Sequence, residues 1–119
     1  MKLRLRNNSI RFRLTQSEVA RLQQEGLLEE LVDFGGGEIL AYRLETRALP
    51  GPPLASFRRG TVAVSVSVAE AGLWAASDAV GVYAQSGSLT ISIEKDFHCV
   101  EPPGNAFPYA GEPCKGTST

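Results

Sequence analysis

The chain has little cysteine, little histidine and no long apolar run, and each shortage excludes a class of protein. Its 119 residues include two cysteines and one histidine, too few for a disulfide-stabilised scaffold or a zinc site of several cysteines and histidines. No stretch reaches the ~18 consecutive apolar residues of a membrane-spanning helix. Basic residues interrupt the first thirteen positions, so we expect no secretory signal and a cytoplasmic location. Cys99 and Cys114 are then expected to be unbonded thiols.

Net charge is also small, but the charged residues are unevenly distributed. The formal net charge of −1 gives no general attraction to nucleic acid, so we do not expect a nucleic-acid-binding protein. The first thirteen residues nevertheless contain no acidic side chain. They contain five basic ones, which are Lys2, Arg4, Arg6, Arg11 and Arg13.

The same succession of patterns occurs twice along the chain. Residues 10–18 match residues 62–70 at an offset of 52, and in both segments an alternating strand runs into a helix start. The match resumes further on at an offset of 49, where Leu40 falls on Leu89. The change of offset lies in a connection, where an insertion costs little. We therefore predict an internal duplication of strand, helix and hairpin.

This duplication predicts one α+β domain over residues 1–100. Its pseudo-repeats, 10–45 and 62–94, are tandem βαββ units joined by a proline-rich linker over 46–60. Together they are expected to form one antiparallel-rich sheet or open barrel with two covering helices. The proline- and glycine-rich segment 101–119 is predicted to be a largely disordered tail.

Both predicted helices begin with strong capping signals. Thr15 and Glu18 have the spacing of a capping box, and Ser67 and Glu70 repeat that spacing. Gly26 is placed to end the first helix in the left-handed conformation. These signals fix the starts of both helices and the end of the first from local chemistry.

In residues 2–6 the apolar side chains stand at odd positions, and in residues 10–14 they stand at even positions. The alternation therefore changes parity across Asn7, Asn8 and Ser9. A single unbroken strand would expose half of its apolar side chains to water. The segment is therefore predicted to form either a tight hairpin turn or a β-bulge, and asparagine tolerates the positive φ that both can need.

The opening segment Lys2–Val19 is similar to the opening of a bacterial family of small uncharacterised proteins. The domain of that family closes with a motif like Ile93–Cys99, which is present here. The resemblance covers roughly residues 1–100. It implies a free-standing bacterial protein and brings no activity, because the family is a domain of unknown function.

The basic strands are the best candidate for a binding site. Lys2, Arg4 and Arg6 share one face of the first strand, and Arg11 and Arg13 share one face of the next. If these strands pair, five cations form one patch suited to phosphate or carboxylate. The alternative interpretation is a solvated outer face that acids of other strands neutralise.

A barrel with its polar face inward would extend this hypothesis. The same arginines would then line a cationic tunnel together with Arg43, Glu45 and Glu94, and such a lining resembles the triphosphate-tunnel enzymes. The Glu-x-Glu-x-Lys opening of those enzymes is absent from this sequence, so the comparison is the weaker alternative.

No set of residues predicts catalysis, a metal site or a cofactor. Asp96, His98, Cys99 and Cys114 have suitable side chains, but the spacing is wrong for zinc and there is no second histidine. The predicted function is a small binding or interaction module without evident catalysis. The alternative is a phosphate or anion binder, or a hydrolase, that uses the basic strand face. An anionic small molecule, a protein partner and a homodimer formed through an exposed edge are the partners considered, and no membrane is expected.

Overall fold

The structure, a computed structural model, describes residues 1–97, and these form the succession hairpin, helix, hairpin twice. The elements of the first half are β1 Lys2–Arg6, β2 Ser9–Leu14, α1 Gln16–Glu25, β3 Leu27–Gly35 and β4 Glu38–Arg47. Those of the second half are β5 Leu54–Arg58, β6 Thr61–Ser67, α2 Val68–Ala76, β7 Gly81–Ser86 and β8 Leu89–Lys95. Neither helix of this described part is long and apolar enough to cross a membrane.

The change of parity near the N-terminus is a hairpin turn, the first of the two predicted alternatives. Asn7 and Asn8 have φ values of 46° and 58°, the positive pair that a tight two-residue turn needs. Arg59 and Gly60 repeat this geometry between β5 and β6, with φ values of 49° and 77°. Both turns let the apolar side chains of their two strands face the same side.

The predicted helix caps are confirmed. The Thr15 hydroxyl accepts from the Glu18 N–H at 3.3 Å, and the Glu18 carboxylate accepts from the Thr15 N–H at 2.9 Å, which completes the capping box. Gly26 ends α1 with a φ of 77°. In α2 the Ser67 hydroxyl accepts from the Glu70 N–H at 3.1 Å. Local sequence therefore sets the helix boundaries.

The strands form two four-stranded sheets and far outnumber the two short helices, so the predicted α+β domain with a single sheet or open barrel and two covering helices is wrong: the described chain is mostly β. Sheet A has the order β1-β2-β8-β7 and sheet B the order β3-β4-β6-β5, and neither closes into a barrel. In each sheet the two central strands pair in parallel, β2 with β8 and β4 with β6. The outer strands pair antiparallel with their neighbours. Each sheet thus joins one hairpin from each half of the chain.

One apolar core explains this two-sheet arrangement. The fully buried large side chains of this core come from sheet A, from sheet B and from α1; they are Phe12, Leu14, Ile91, Ile93, Leu44, Val64, Val66 and Leu22. Each helix contacts strands of both sheets, so neither helix simply covers one face. Alternation gives each sheet one apolar face, and the two faces are buried in a common core instead of under helices alone.

Strand β5 lies inside the segment 46–60 that the sequence predicts as a linker. Its five residues pair with β6, with Phe57 opposite Val62 and Arg58 opposite Thr61. The sequence of β5 alternates poorly, and Phe57 is 67% exposed although its neighbour Ala55 packs against the core. Pairing with β6, and not a local pattern, therefore defines this strand.

The strand registers of the two halves agree. Lys2 is opposite Arg13 in sheet A, and the residues 52 positions later, Leu54 and Ser65, are opposite each other in sheet B. Neither 27–34 nor 79–84 is helical, as the predicted duplication requires. The offset of 49 also matches Phe34 with Tyr83 in the sequence, and this match does not fit, because the registers place Tyr83 at the position of Glu29. The superposition of the two halves stays a prediction.

Candidate functional site

Five cations lie on the outer face of sheet A, opposite the apolar core. The antiparallel register sets Lys2 across from Arg13 and Arg4 across from Arg11, with Arg6 at the turn end of β1. We call these five residues the basic face. Like charges directly across a strand pair repel each other, so this arrangement needs neutralisation or a ligand.

Carboxylates at the end of β8 neutralise part of the basic face. Asp96 Oδ2 lies 3.1 Å from Lys2 Nζ, and Asp96 Oδ1 lies 3.4 Å from Arg13 Nη2. Glu94 Oε1 lies 3.5 Å from Arg11 Nε. Three of the five cations therefore have an acidic partner within the protein.

Asp96 is the most constrained of these carboxylates. Its side chain is only 6% exposed, and its backbone N–H donates to the Leu14 carbonyl at 2.8 Å, which extends the parallel pairing of β2 and β8. A carboxylate is buried at low cost only when it is paired, and Lys2 and Arg13 supply that pairing. Arg13 Nε is itself buried without a hydrogen-bond partner among residues 1–97.

Tyr83 extends this network onto the neighbouring edge strand. Its hydroxyl donates to Glu94 Oε2 at 2.8 Å. Burial and the hydrogen bond to Glu94 raise the pKa of Tyr83, so the phenol stays protonated and keeps donating. Glu94 is therefore held between Tyr83 and Arg11.

Arg4 and Arg6 differ from the other three cations. Both are exposed, and neither forms an ion pair with any residue in the described range 1–97. Both protrude from β1, the edge strand of sheet A. They are the part of the basic face whose charge the described acids leave uncompensated.

Arg43 lies away from the basic face, although the sequence groups it with those residues. It is on β4 in sheet B, 3.0 Å from Glu29 and 3.6 Å from Glu45. The hydrogen bond to Glu29 is the main cause that raises the pKa of Arg43. The predicted cationic tunnel is also wrong, because neither sheet closes into a barrel and the basic face points away from the apolar core.

The structure tests only part of the prediction that Asp96, His98, Cys99 and Cys114 form no metal site. Within residues 1–97 no group of three or more histidine, cysteine, aspartate or glutamate side chains could hold a metal ion. His98, Cys99 and Cys114 lie outside the described residues, as do the predicted free thiols and the predicted tail.

The sequence interpretation missed that Asp96 and Tyr83 belong to this site. A signal for Asp96 was present, since Thr90, Ser92, Glu94 and Asp96 continue one alternating polar face along β8. What was lacking was the knowledge that β8 pairs with β2, which places that face beside the arginines.

The chain belongs to DUF7009, a family of unknown function whose model matches residues 1–106. This confirms the predicted membership of an uncharacterised family, while the bacterial source and the two end motifs stay predictions. The comparisons with curated proteins and with solved structures gave no match.

Proposed function

We propose that this protein is a binding module without catalysis and that its ligand is an anion held on the basic face. The observation that supports this most is the imbalance on that face. Five cations meet two carboxylates there, and Arg4 and Arg6 have no ion pair within residues 1–97. A bound anion would supply the missing negative charge.

The equivalent face of sheet B supports a functional origin for this charge. At the positions related by the offset of 52, the cations Lys2, Arg4, Arg11 and Arg13 are replaced by Leu54, Ser56, Ala63 and Ser65, and only Arg6 keeps a cation, Arg58. Both strand pairs form with the same register. The fold therefore does not require the cations.

Phosphate or carboxylate groups suit this geometry best. Arg4 and Arg11 are directly opposite each other, and arginine can donate two parallel hydrogen bonds to such groups. Because Lys2, Arg4 and Arg6 are exposed along one strand, we expect a ligand with several negative charges that contacts more than one arginine.

A pair of double variants tests this proposal. Arg4→Gln with Arg11→Gln removes two charges from the basic face, whereas Arg21→Gln with Arg58→Gln removes two exposed charges elsewhere. Titration with inorganic phosphate, pyrophosphate and tripolyphosphate, read by calorimetry and melting temperature, should show binding to the wild type and to the control. We expect the first double variant to bind at least about tenfold more weakly.

Two results would contradict the proposal. One is equal binding by both double variants, which would show general charge attraction only. The other is no stabilisation of the wild type by any of the three anions at low salt, where screening is weakest.

A cytoplasmic location and an internal duplication remain parts of this proposal. The low cysteine content supports a reducing compartment. The repeated strand registers support the duplication.

A further inference from the structure

Strand β7 is an edge of sheet A, and no strand of residues 1–97 pairs with its outer side. The Lys95 N–H donates to the Val80 carbonyl at 2.9 Å, so alternate residues from Val80 onward bond to β8. The residues between them are Gly81, Tyr83 and Gln85, whose N–H and C=O groups point away from β8 to the free edge. Such an edge can pair with a strand of another chain.

The side chains of β7 leave this edge accessible. Gly81 has no side chain. The Tyr83 hydroxyl donates to Glu94 at 2.8 Å, and the Gln85 amide oxygen accepts from the Thr90 hydroxyl at 3.0 Å. Both partners are on β8, so the two long side chains lean over the sheet and away from the free edge. A second strand would therefore meet exposed backbone groups.

The other edges of the described sheets are protected against pairing with another chain. β1 has a basic residue at every second position, and β3 has acidic residues and a register shift near its turn. β5 is short, follows Pro53 and ends at Arg58. Charge, irregular pairing and proline are common means by which edge strands avoid association. Among the edges formed by residues 1–97, β7 alone has no charged residue.

We propose that a second copy of this chain binds here, with the two β7 strands antiparallel across a two-fold axis. The axis passes beside Tyr83, which is then opposite its own copy, and Gly81 is opposite Gln85 of the second copy. In this register every outward-pointing residue of β7 faces another one, and each such pair exchanges both of its backbone hydrogen bonds. The inner faces stay aligned, so sheet A of the two copies becomes one continuous sheet.

Charge favours self-pairing of β7 over self-pairing of β1 or β3. Antiparallel pairing of β1 about its middle residue would set Arg4 against Arg4 of the second copy, and a similar pairing of β3 would set Glu29 against Asp33. Like charges directly opposite each other are unfavourable. The β7 contact brings no charged side chains of that strand together, and Gly81 leaves room for the long side chain of Gln85 of the second copy.

This inference goes beyond anion binding and is tested by molecular mass. Sedimentation or light scattering of the full chain should show a species of twice 12.8 kDa, whose fraction rises with protein concentration. A single pair of strands buries a small area, so we expect a weak dimer that dissociates on dilution.

A proline variant tests the backbone contact. Gln85→Pro removes an outward N–H group and no bond to β8, because the Gln85 N–H points to the free edge. It should raise the dimer dissociation constant at least about tenfold. Gln85→Ala is the matched control, since it also removes the side-chain amide but keeps the N–H, and it should leave the dimer unchanged. Circular dichroism and urea denaturation check the fold of both variants.

Charges at the two-fold position give a second test, which does not depend on proline. Tyr83→Lys and Tyr83→Glu each set like charges opposite each other across the axis, so each variant alone should be a monomer. In an equimolar mixture the lysine of one variant meets the glutamate of the other, and the mixed dimer should form. Tyr83→Phe should keep the dimer.

Amide hydrogen exchange locates the contact. The N–H groups of Gly81, Tyr83 and Gln85 should exchange more slowly in concentrated than in dilute protein, whereas those of β1 should not change. A monomer at every concentration would overturn the proposal and leave the edge to an extended segment of another protein. A dimer that Gln85→Pro and Gln85→Ala affect equally, or one that protects β1 instead, would also overturn it.

Discussion

The two halves of the molecule, residues 2–47 and 54–95, have the same order of elements and the same registers but different surfaces. The first half has five cations on its outer face and a polar helix α1, whereas the second half has a nearly neutral face and an apolar helix α2. Their inner faces are both apolar. The difference shows which features the fold requires, namely caps, turns and buried stripes, and leaves the outer charges as features that folding does not explain.

A cross-strand contact shows the same contrast at one position. At the end of β8, Asp96 contacts Arg13 through an ion pair. The equivalent residue in sheet B is Arg47, the last residue of β4, whose guanidinium donates to the Ser65 hydroxyl at 2.8 Å and to the Ser65 carbonyl at 3.0 Å. Both links join the same two positions of the sheet, but the charge of the residue at the strand end is reversed.

The largest expected effect tests the core, which the two halves share. Trp74, at the position equivalent to Leu22, is 3% exposed, and its indole N–H donates to the Val80 carbonyl at 3.0 Å. Trp74→Ala should lower the free energy of unfolding by about 3–5 kcal/mol. Leu73→Ala is the control, since Leu73 is 74% exposed, and urea denaturation should show it within about 0.5 kcal/mol of wild type.

The next effect tests the buried carboxylate that only sheet A has. Asp96→Asn removes the negative charge facing Lys2 and Arg13 and should cost about 2 kcal/mol in thermal or urea unfolding. The basic face also becomes more positive, so binding of tripolyphosphate should strengthen. Asp78→Asn, an exposed change, should alter neither quantity. Weaker anion binding by Asp96→Asn would indicate that Asp96 positions the arginines instead of competing with the ligand.

A third prediction compares the two helix starts and depends on pH. Burial alone would raise the pKa of Glu18, but hydrogen bonds from the Met1 amino group and the Thr15 N–H outweigh it and lower that pKa below its ordinary value of 4.5. Glu18 therefore stabilises the protein above pH 4.5, and this contribution is lost as the pH falls through the lowered pKa. Glu18→Gln should lower the free energy of unfolding by about 1 kcal/mol at neutral pH. It should also reduce the loss of stability that the wild type shows as the pH falls below 4.5.

Stability measured at alkaline pH and a matched variant of α2 complete that test. Burial lowers the pKa of the Met1 amino group, but the bonds to Glu18 and Glu30 raise it above 8.0, so its contribution is lost as the pH rises through the raised value. Glu70→Gln changes the equivalent residue of α2, whose carboxylate forms no hydrogen bond to the Ser67 N–H within residues 1–97. Stability measured from pH 3 to 10 should show little change for Glu70→Gln. Equal losses for both variants would disprove the difference between the caps.

The smallest effect concerns one glycine. Gly72 occupies the position of α2 equivalent to Ala20 of α1, and a Cβ there would meet only Gln23 Oε1 at 3.9 Å, an ordinary contact. Gly72→Ala should therefore raise the free energy of unfolding by about 0.5–1 kcal/mol, and Ala20→Gly should lower it by a similar amount. Thermal melts of both variants check this. A loss of stability in Gly72→Ala would mean that α2 packs more closely than α1 does.

Local features of the fold could be predicted from the sequence because neighbouring residues produce them. The capping box of Thr15 and Glu18 spans three residues, and the parity change at Asn7 and Asn8 spans two. Alternation in β2 and β8 predicted which side chains are apolar and inward. Membership in an uncharacterised family also followed from the sequence itself.

The partners of the strands were decided only by the tertiary structure. In sheet A, Ser9 pairs with Thr90 across most of the described chain, and an alternating pattern is compatible with many such partners. Burial of two apolar faces in one core selected two sheets with parallel centres. That pairing brought Asp96 and Glu94 to the arginines, placed Arg43 in the other sheet and made β5 a strand. Short-range chemistry acts between neighbours in the chain, whereas the core is a property of all the faces that must be buried together.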